Sequence, residues 1–98
     1  MAKEYYTYIV CCCDGTLYTG WTVDPERRVR AHNAGLGARY TKTRRPVRLV
    51  YLEKHLSCAE AMRRERAIKR MRRAAKLSLV SQASRSSADV ESQVPNEE

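Results

Sequence analysis

The segment from Tyr18 to Asn33 holds side chains of three types that handle phosphate groups. Arg28 and His32 are four residues apart, so on a helix they share one face and lie about one turn from each other. Upstream, Tyr18 is followed closely by Gly20, and a glycine at a strand end lets backbone or a ligand approach closely. Tyrosine, arginine and histidine converging beside a glycine are suited to binding a phosphate and moving protons near it. The segment therefore indicates a site for phosphate chemistry.

A short helix with explicit start and stop signals carries the arginine and the histidine. Asp24 has a side chain preferred at a helix N-cap, and Pro25 suits the first helical position. Glu26 complements the positive end of the helix. Gly35 is typical of the residue just after a helix end. The sequence therefore predicts one helix between Pro25 and Gly35.

A β-hairpin precedes this helix. Residues 5–13 (YYTYIVCCC) are rich in aromatic and β-branched types, which favours a strand. The Asp-Gly pair at 14–15 indicates a two-residue turn, and residues 16–22 predict the antiparallel partner strand. If the turn is tight, Tyr8 and Tyr18 lie near each other across the pair, within one step of register. Tyrosines are also ordinary strand residues, so the two alone do not establish a site.

A basic connector follows at residues 38–46 (ARYTKTRRP), with room for one further helical turn before Pro46 ends it. Val47–Glu53 then predicts a third strand. The connector is rich in residue types that contact nucleic-acid phosphates. Most such runs are merely solvated surfaces. The functional alternative is a phosphate-binding surface made of Arg39, Tyr40, Lys42, Thr43, Arg44 and Arg45.

A long helix is predicted from the capping box at Ser57–Glu60 to about Ala75. At 100° per residue, Glu65 falls on the stripe of mostly apolar residues that should face the sheet. A buried carboxylate must be paired, protonated or bound to a metal ion. Two alternatives follow, namely a structural ion pair, for example with an arginine of the first helix, or a metal ligand. The other faces of this helix carry cations suited to a phosphate backbone, among them Lys69, Arg70 and Arg73.

Charge indicates the class of partner. The 98 residues carry 19 basic and 11 acidic side chains, a net charge of +8. Residues 1–76 hold 18 of the basic and 7 of the acidic residues, so the charge is concentrated there. A small domain this basic is expected to bind a polyanion. Residues 77–98 are rich in Ser, Gln and acidic residues without aromatics, which predicts a disordered tail after one domain at 1–76.

The cysteines and the N-terminus indicate the compartment. Three cysteines are adjacent at 11–13 and Cys58 stands apart, so neither a disulfide framework nor a CxxC zinc site is expected. The N-terminus lacks a signal peptide and no apolar run approaches the length of a membrane span. These features predict an intracellular, cytoplasmic protein with reduced thiols and without a membrane partner.

The motifs in this order resemble the GIY-YIG nuclease superfamily. YTYIV is followed at short range by YTG and then by DPERRVRAHN. The continuation HNAGLGARYTKTRRPVRLVY is closer still to the small stand-alone, YhbQ/YazA-like members, and is similar to the nuclease domain of the Slx-type structure-specific endonucleases. The resemblance covers about residues 4–76. The sequence departs from the family at Tyr6, Thr7 and Thr19, which stand where the motifs have Gly, Ile and Ile.

The resemblance assigns roles residue by residue. It implies that Tyr8 and Tyr18 are the active-site tyrosines, that Arg28 is the family's arginine and His32 the helix residue one turn on. It also implies that Glu65 binds the metal, Mg²⁺ or another divalent cation such as Mn²⁺, with no small-molecule cofactor. Asn33, Tyr40, Thr43 and Arg45 match the extended signature of the small members. The general base stays open between Tyr8 and His32.

The elements predict an α+β fold, a small three-stranded antiparallel sheet flanked by helices in the order ββααβα or ββαβα. The leading functional hypothesis is a metal-dependent DNA endonuclease with low sequence specificity, directed to nicks or particular structures, and acting in DNA repair or recombination. The alternatives are a nucleic-acid-binding module without catalysis and a basic interaction protein. DNA versus RNA and the oligomeric state stay open.

Overall fold

A three-stranded antiparallel sheet forms the centre of the molecule, as the sequence predicts. The first strand of the chain lies between the other two. The computed structural model describes residues 3–91, and the side chains of residues 3–83. The element order is ββααβαα, which extends the first of the two predicted orders by one helix. The elements are β1 (Tyr5–Cys11), β2 (Leu17–Thr22), α1 (Pro25–Asn33), α2 (Arg39–Lys42), β3 (Arg48–His55), α3 (Cys58–Lys69) and α4 (Arg73–Glu91).

The central strand β1 is buried on both faces because its apolar and β-branched residues do not alternate with charged ones. On one face Tyr8 and Val10 pack with Val47 and with Val29 of α1. On the other face the buried hydroxyl of Thr7 donates to the backbone carbonyl of Ala61 in α3, at 2.9 Å. Val29 of α1 and Ala61 of α3 therefore pack on opposite faces of β1, and the phenol of Tyr8 lies on the face of Val29.

The hairpin forms where the Asp-Gly pair predicts it, with a loop one residue longer than expected. Gly15 N–H donates to the carbonyl of Cys12 at 2.9 Å, and the Cys12 N–H donates to Thr16 at 2.8 Å. Three residues, 13–15, thus form the loop. The resulting register sets Tyr8 opposite Gly20 and Tyr18 opposite Val10, so the two tyrosines are diagonal neighbours on one face.

The helix starts agree with the predicted caps. The Asp24 carboxylate accepts from the N–H of Arg27 at 3.2 Å, and the Ser57 hydroxyl accepts from the N–H of Glu60 at 3.1 Å. The connector forms the predicted extra turn, α2. Arg64 of α3 donates to both carboxylate oxygens of Glu53 in β3, at 2.9 and 3.2 Å, which fixes α3 across the sheet.

The prediction of one helix from Ser57 to about Ala75 is wrong. α3 ends at Lys69, residues 70–72 form a turn, and α4 starts at Arg73. No glycine or proline marks this break. Ile68 is the last fully buried residue of α3, so beyond it the helix has no buried side chain to keep it on the sheet.

The C-terminal segment differs in part from the predicted tail. α4 continues to Glu91, past the predicted tail start at residue 77, and residues 92–98 lie outside the described part of the chain. Within residues 73–83 most side chains are exposed. Between residues 3 and 91, no helix has both the length and the apolar composition needed to cross a membrane.

Asn33 joins the end of α1 to the start of the third strand. Its side-chain amide donates to the Val47 carbonyl at 3.0 Å and its amide oxygen accepts from the Val47 N–H at 2.7 Å. Val47 is 5% exposed, so the backbone groups that Asn33 satisfies lie at the edge of the core. The Asn33 side chain therefore makes the two hydrogen bonds to the Val47 backbone that a neighbouring strand would otherwise make.

We expect Asn33→Ala to destabilise the fold by about 1–3 kcal/mol, because two partly buried backbone groups lose their partner. For a domain of this size that lowers the melting temperature by about 4–8 °C per kcal/mol. Arg27→Ala, an exposed change on the same helix, is the control and should change it little. Thermal melts of the two variants that coincide would contradict this role for Asn33.

Candidate active site

A hydrogen-bonded group of three side chains lies between β1 and α1. The phenol oxygen of Tyr8 is 2.8 Å from Nε2 of His32, and Nε of Arg28 donates to the same phenol oxygen at 3.3 Å. Tyr8 is 1% exposed and His32 is fully buried, whereas Arg28 is partly exposed. The predicted i, i+4 pair thus converges on one tyrosine. The group combines a fixed cation with a proton donor and a proton acceptor.

Two glycines make room for this group. A Cβ atom at Gly20, opposite Tyr8 on β2, would lie 2.5 Å from the phenol oxygen. A Cβ atom at Gly37 would overlap Nδ1 of His32. Any side chain at either position would therefore displace a member of the group. Sequence reasoning assigned a close approach to Gly20 and did not find the matching role of Gly37.

Thr41 is a residue of the site that sequence reasoning missed. Its hydroxyl oxygen lies 2.8 Å from Nδ1 of His32, on the side of the ring opposite Tyr8, and 3.0 Å from the carbonyl of Ala38. Thr41 is fully buried, although it belongs to the basic connector. A threonine between a tyrosine and a lysine, with a second threonine two residues on, carries no sequence signal of burial.

Tyr18 lies beside the group and forms a stack. Its ring meets the His32 ring edge-on at 5.5 Å between centres, and stacks on the Tyr40 ring at 5.9 Å. The guanidinium of Arg44 lies over the Tyr40 ring, 3.9 Å from the ring centre. The amine of Lys69 lies 5.6 Å from the centre of the Tyr18 ring. Tyr18 is therefore held by aromatic and cationic contacts from α2 and α3.

Glu65 lies on the sheet-facing stripe of α3, as predicted, and its side chain is 17% exposed. Its partner is Lys69 of the same helix, at 3.3 Å, and not an arginine of α1. The Lys69 side chain is 47% exposed, so the pair is solvated and worth only a few tenths of a kcal/mol. The same lysine lies 5.6 Å from the centre of the Tyr18 ring, and the charge of Glu65 raises the pKa of Tyr8, so the carboxylate acts electrostatically on the site.

The donor set fits a hard cation held mainly by water and substrate. Among the described side chains, those of residues 3–83, no three His, Cys, Asp or Glu residues cluster to form a closed metal site. Mg²⁺ is usually bound through one or two carboxylates together with waters and substrate phosphates. A single partly buried carboxylate with an exchangeable lysine partner meets that requirement. Glu65 is therefore the candidate ligand.

The predicted nucleic-acid-binding residues divide into two groups. Arg44 is engaged with Asp14 at 3.2 Å, and Arg45 donates to the carbonyls of Lys42 and Asn33. Lys69 is paired with Glu65 at 3.3 Å. The other four cations of that set are exposed and form no side-chain ion pair within the described residues: Arg39, Lys42, Arg70 and Arg73. Arg70 and Arg73 flank the turn between α3 and α4, a consequence of the break in the predicted long helix.

A surface depression of about 530 Å³ opens at the C-terminal end of α1. It is lined by Asn33, Lys42, Thr43, Arg45 and Pro46. The depression therefore joins the end of α1 to the connector. Thr43 lies on its wall as an exposed residue, with the hydroxyl available for a phosphate contact.

Burial acts on both titratable partners of the central hydrogen bond. Burial lowers the pKa of His32, and the charge of Arg28 lowers it further, so the imidazole is neutral near pH 7. Burial raises the pKa of Tyr8; Arg28 opposes this, while Tyr18 and Glu65 add to it. In the resting site the phenol is therefore protonated and the imidazole can accept a proton.

Comparison with known families identifies related sequences. Residues 4–78 match the family described as the GIY-YIG catalytic domain. A UPF0213 protein of Staphylococcus haemolyticus is 58% identical over 80 residues, which cover 82% of this chain and 96% of that protein. A UPF0213 protein of Syntrophus aciditrophicus is 55% identical over 83 residues, covering 84% and 94%.

Two solution NMR structures have a similar fold. The UPF0213 protein of Bacillus halodurans superimposes with a TM-score of 0.53 at 46% identity, covering 81% of this chain and 84% of that one. A protein from E. faecalis superimposes with a TM-score of 0.50 at 33% identity, covering 98% and 95%. The similarity of both extends over most of this chain.

We expect the His32 ring to titrate below the reference value of about 6.5. The pKa of His32 is lower in the folded protein than in the unfolded chain. The free energy of unfolding should therefore keep its full value above about pH 6.5 and decrease as the pH falls toward the pKa of His32 in the folded protein. NMR titration measures the midpoint, with His32→Gln identifying the signal. Thermal melts at several pH values should show a smaller loss for that variant. A midpoint at or above the reference would contradict the burial argument.

Proposed function

Because the chain belongs to the GIY-YIG catalytic domain family, we propose that it is an endonuclease that hydrolyses DNA phosphodiester bonds with a divalent cation. The observation that carries the proposal is the Arg28–Tyr8–His32 group, which joins a permanent cation, a phenol and a neutral imidazole in one hydrogen-bonded arrangement. A module that only binds nucleic acid needs no buried proton acceptor. We propose low sequence preference, with nicked or branched DNA as substrate and a role in repair or recombination.

Arg28 would bind the phosphate that is attacked. Its Nε is engaged by the Tyr8 oxygen, which fixes the guanidinium plane and leaves the two terminal NH₂ groups to donate to non-bridging oxygens. The side chain is partly exposed, so a phosphate can reach it from solvent. Charge that develops on the phosphate during attack would be stabilised by donors already in place.

Tyr8 and His32 would handle the proton of the attacking water. The pKa of an unperturbed phenol is about 10, so Tyr8 alone is a poor base near pH 7. The imidazole behind it supplies the missing acceptor, because it is neutral and lies 2.8 Å away. Tyr18, which contacts His32 edge-on from the neighbouring strand, would position the phosphate or the water.

Glu65 would hold the cation, Mg²⁺ or another such as Mn²⁺, whose charge would assist the leaving oxygen. Lys69 would leave the carboxylate when the ion enters, and its amine would become free for a phosphate. The exposed cations of α2 and of the α3–α4 turn would contact the backbone on either side of the cleaved bond. Phosphate contacts carry no direct sequence information, which supports the proposed low specificity.

We expect Glu65→Gln to lower the cleavage rate by about two orders of magnitude or more, because it removes the charge that holds the cation. Stability should change by less than about 1 kcal/mol, since the lost pair with Lys69 is solvated. The measurement is cleavage of nicked, branched and linear DNA in Mg²⁺ or EDTA, together with thermal melts.

Glu60→Gln on the exposed first turn of the same helix is the matched control and should cleave at the wild-type rate. A folded Glu65→Gln protein with undiminished cleavage would remove Glu65 from the mechanism. Wild-type protein that binds these DNAs without cleaving any of them would favour the binding module instead.

DNA affinity should fall steeply with salt, with a log–log slope of several units, because phosphate contacts release counterions. Combined Arg39→Ala and Lys42→Ala substitution should reduce that slope by about two units. Lys54→Ala, at the opposite edge of the sheet and paired with Glu4, should leave it unchanged. Binding is measured in EDTA to prevent cleavage. Equal slopes for all three proteins would exclude α2 from the binding surface.

A further inference from the structure

We propose that Thr41 is a positioning residue that holds His32 in the tautomer protonated at Nδ1, so that the bare Nε2 faces Tyr8 and accepts its phenolic proton. The assignment of the tautomer depends on the hydrogen bonds alone. Its consequence for cleavage rests on the proposed function.

The hydrogen-bond partners of the site decide the tautomer. With the proton on Nδ1, the ring donates to the Thr41 oxygen at 2.8 Å, and the Thr41 hydroxyl donates to the Ala38 carbonyl at 3.0 Å. On the other side, Arg28 donates to the Tyr8 oxygen and the Tyr8 hydroxyl donates to Nε2. Each hydrogen in the chain then has an acceptor, and all the donors point in one direction.

The opposite tautomer leaves a buried donor unsatisfied. With the proton on Nε2, the ring and Arg28 would both donate to the Tyr8 oxygen. The hydroxyl hydrogen of Tyr8 would then have no acceptor among the partners found in the described residues. Tyr8 is 1% exposed, so bulk water does not supply one. A buried donor without a partner is unfavourable, which selects the Nδ1-protonated form.

The surroundings of Nδ1 make Thr41 its partner. The backbone of Gly37 lies so close to Nδ1 that a Cβ atom there would overlap it, and Thr41 is fully buried. Thr41 itself is fixed, since its hydroxyl bonds the carbonyl three residues back in its own helical turn. The threonine therefore presents an oxygen at a fixed point on the ring, and its hydroxyl hydrogen is directed away.

This direction gives an order of proton transfer. A water that enters with a phosphate bound at Arg28, the partly exposed member of the group, gives a proton to the phenol oxygen while the phenolic proton moves to Nε2. The electron pair of the water oxygen forms the new bond to phosphorus. The bond to the leaving oxygen breaks, and that oxygen takes a proton from solvent. His32 is then an imidazolium held by Thr41 at Nδ1, and it later returns the Nε2 proton to solvent.

The experiment reads the tautomer directly by ¹H–¹⁵N NMR of the His32 ring at a pH where the ring is neutral. We expect the wild type and Thr41→Ser to show a protonated Nδ1 and a bare Nε2. Thr41→Val keeps the shape and removes the acceptor, so its ring should shift to the Nε2-protonated form. Thr19→Val is the matched control: Thr19 is 3% exposed, and its hydroxyl has no partner within the described residues.

Cleavage kinetics give the second readout. Thr41→Val should lower kcat by on the order of tenfold to a hundredfold with KM unchanged, while Thr41→Ser and Thr19→Val stay near wild type. A wild-type ring protonated at Nε2 overturns the proposal even if Thr41→Val fails to fold. So does a Thr41→Val ring that stays protonated at Nδ1. If the wild-type His32 ring is protonated at Nδ1 but the protein cleaves no DNA, the proposed function is refuted and the tautomer assignment still holds.

Discussion

The hydrogen bond between Tyr8 and His32 is the contact on which the rest of the site depends. It joins the central strand to α1 and is closed off from solvent on both sides. Buried polar groups without partners are costly, so both side chains must keep this bond as long as the fold is intact. Arg28 donates to the Tyr8 oxygen of this bond, and Tyr18 and Thr41 contact the His32 ring. Chemistry and packing are therefore not separable at this position: the same atoms that would move a proton also hold a helix on a sheet.

The sequence predicted the parts of this arrangement that depend on local signals. The caps at Asp24 and Ser57, the hairpin and the three strands follow from residue types at fixed offsets, and the structure has them. The spacing of Arg28 and His32 placed both on one helix face without any tertiary information. The position of Glu65 on α3 followed in the same way from helical periodicity.

What escaped prediction depends on contacts between distant segments. Thr41 and Gly37 belong to the site only because both contact the His32 ring of α1, and neither residue type by itself indicates such a contact. The end of α3 at Lys69 has no local signal, because it depends on where the sheet stops offering a surface to bury against. The partner suggested for Glu65, an arginine of α1, is also wrong: the carboxylate pairs with Lys69 of the same helix.

The close approaches at Gly20 and Gly37 bear on how relatives of this protein should be compared. Both positions act through the atoms they lack, since a single methyl group at either would displace Tyr8 or His32. A relative can therefore keep the tyrosines, the arginine, the histidine and the glutamate and still have lost the geometry through one alanine. A comparison that checks only for the presence of these side chains would classify such a protein as active. In this fold, a glycine at positions 20 and 37 is therefore as informative about activity as the side chains of Tyr8 and His32 that the two glycines make room for.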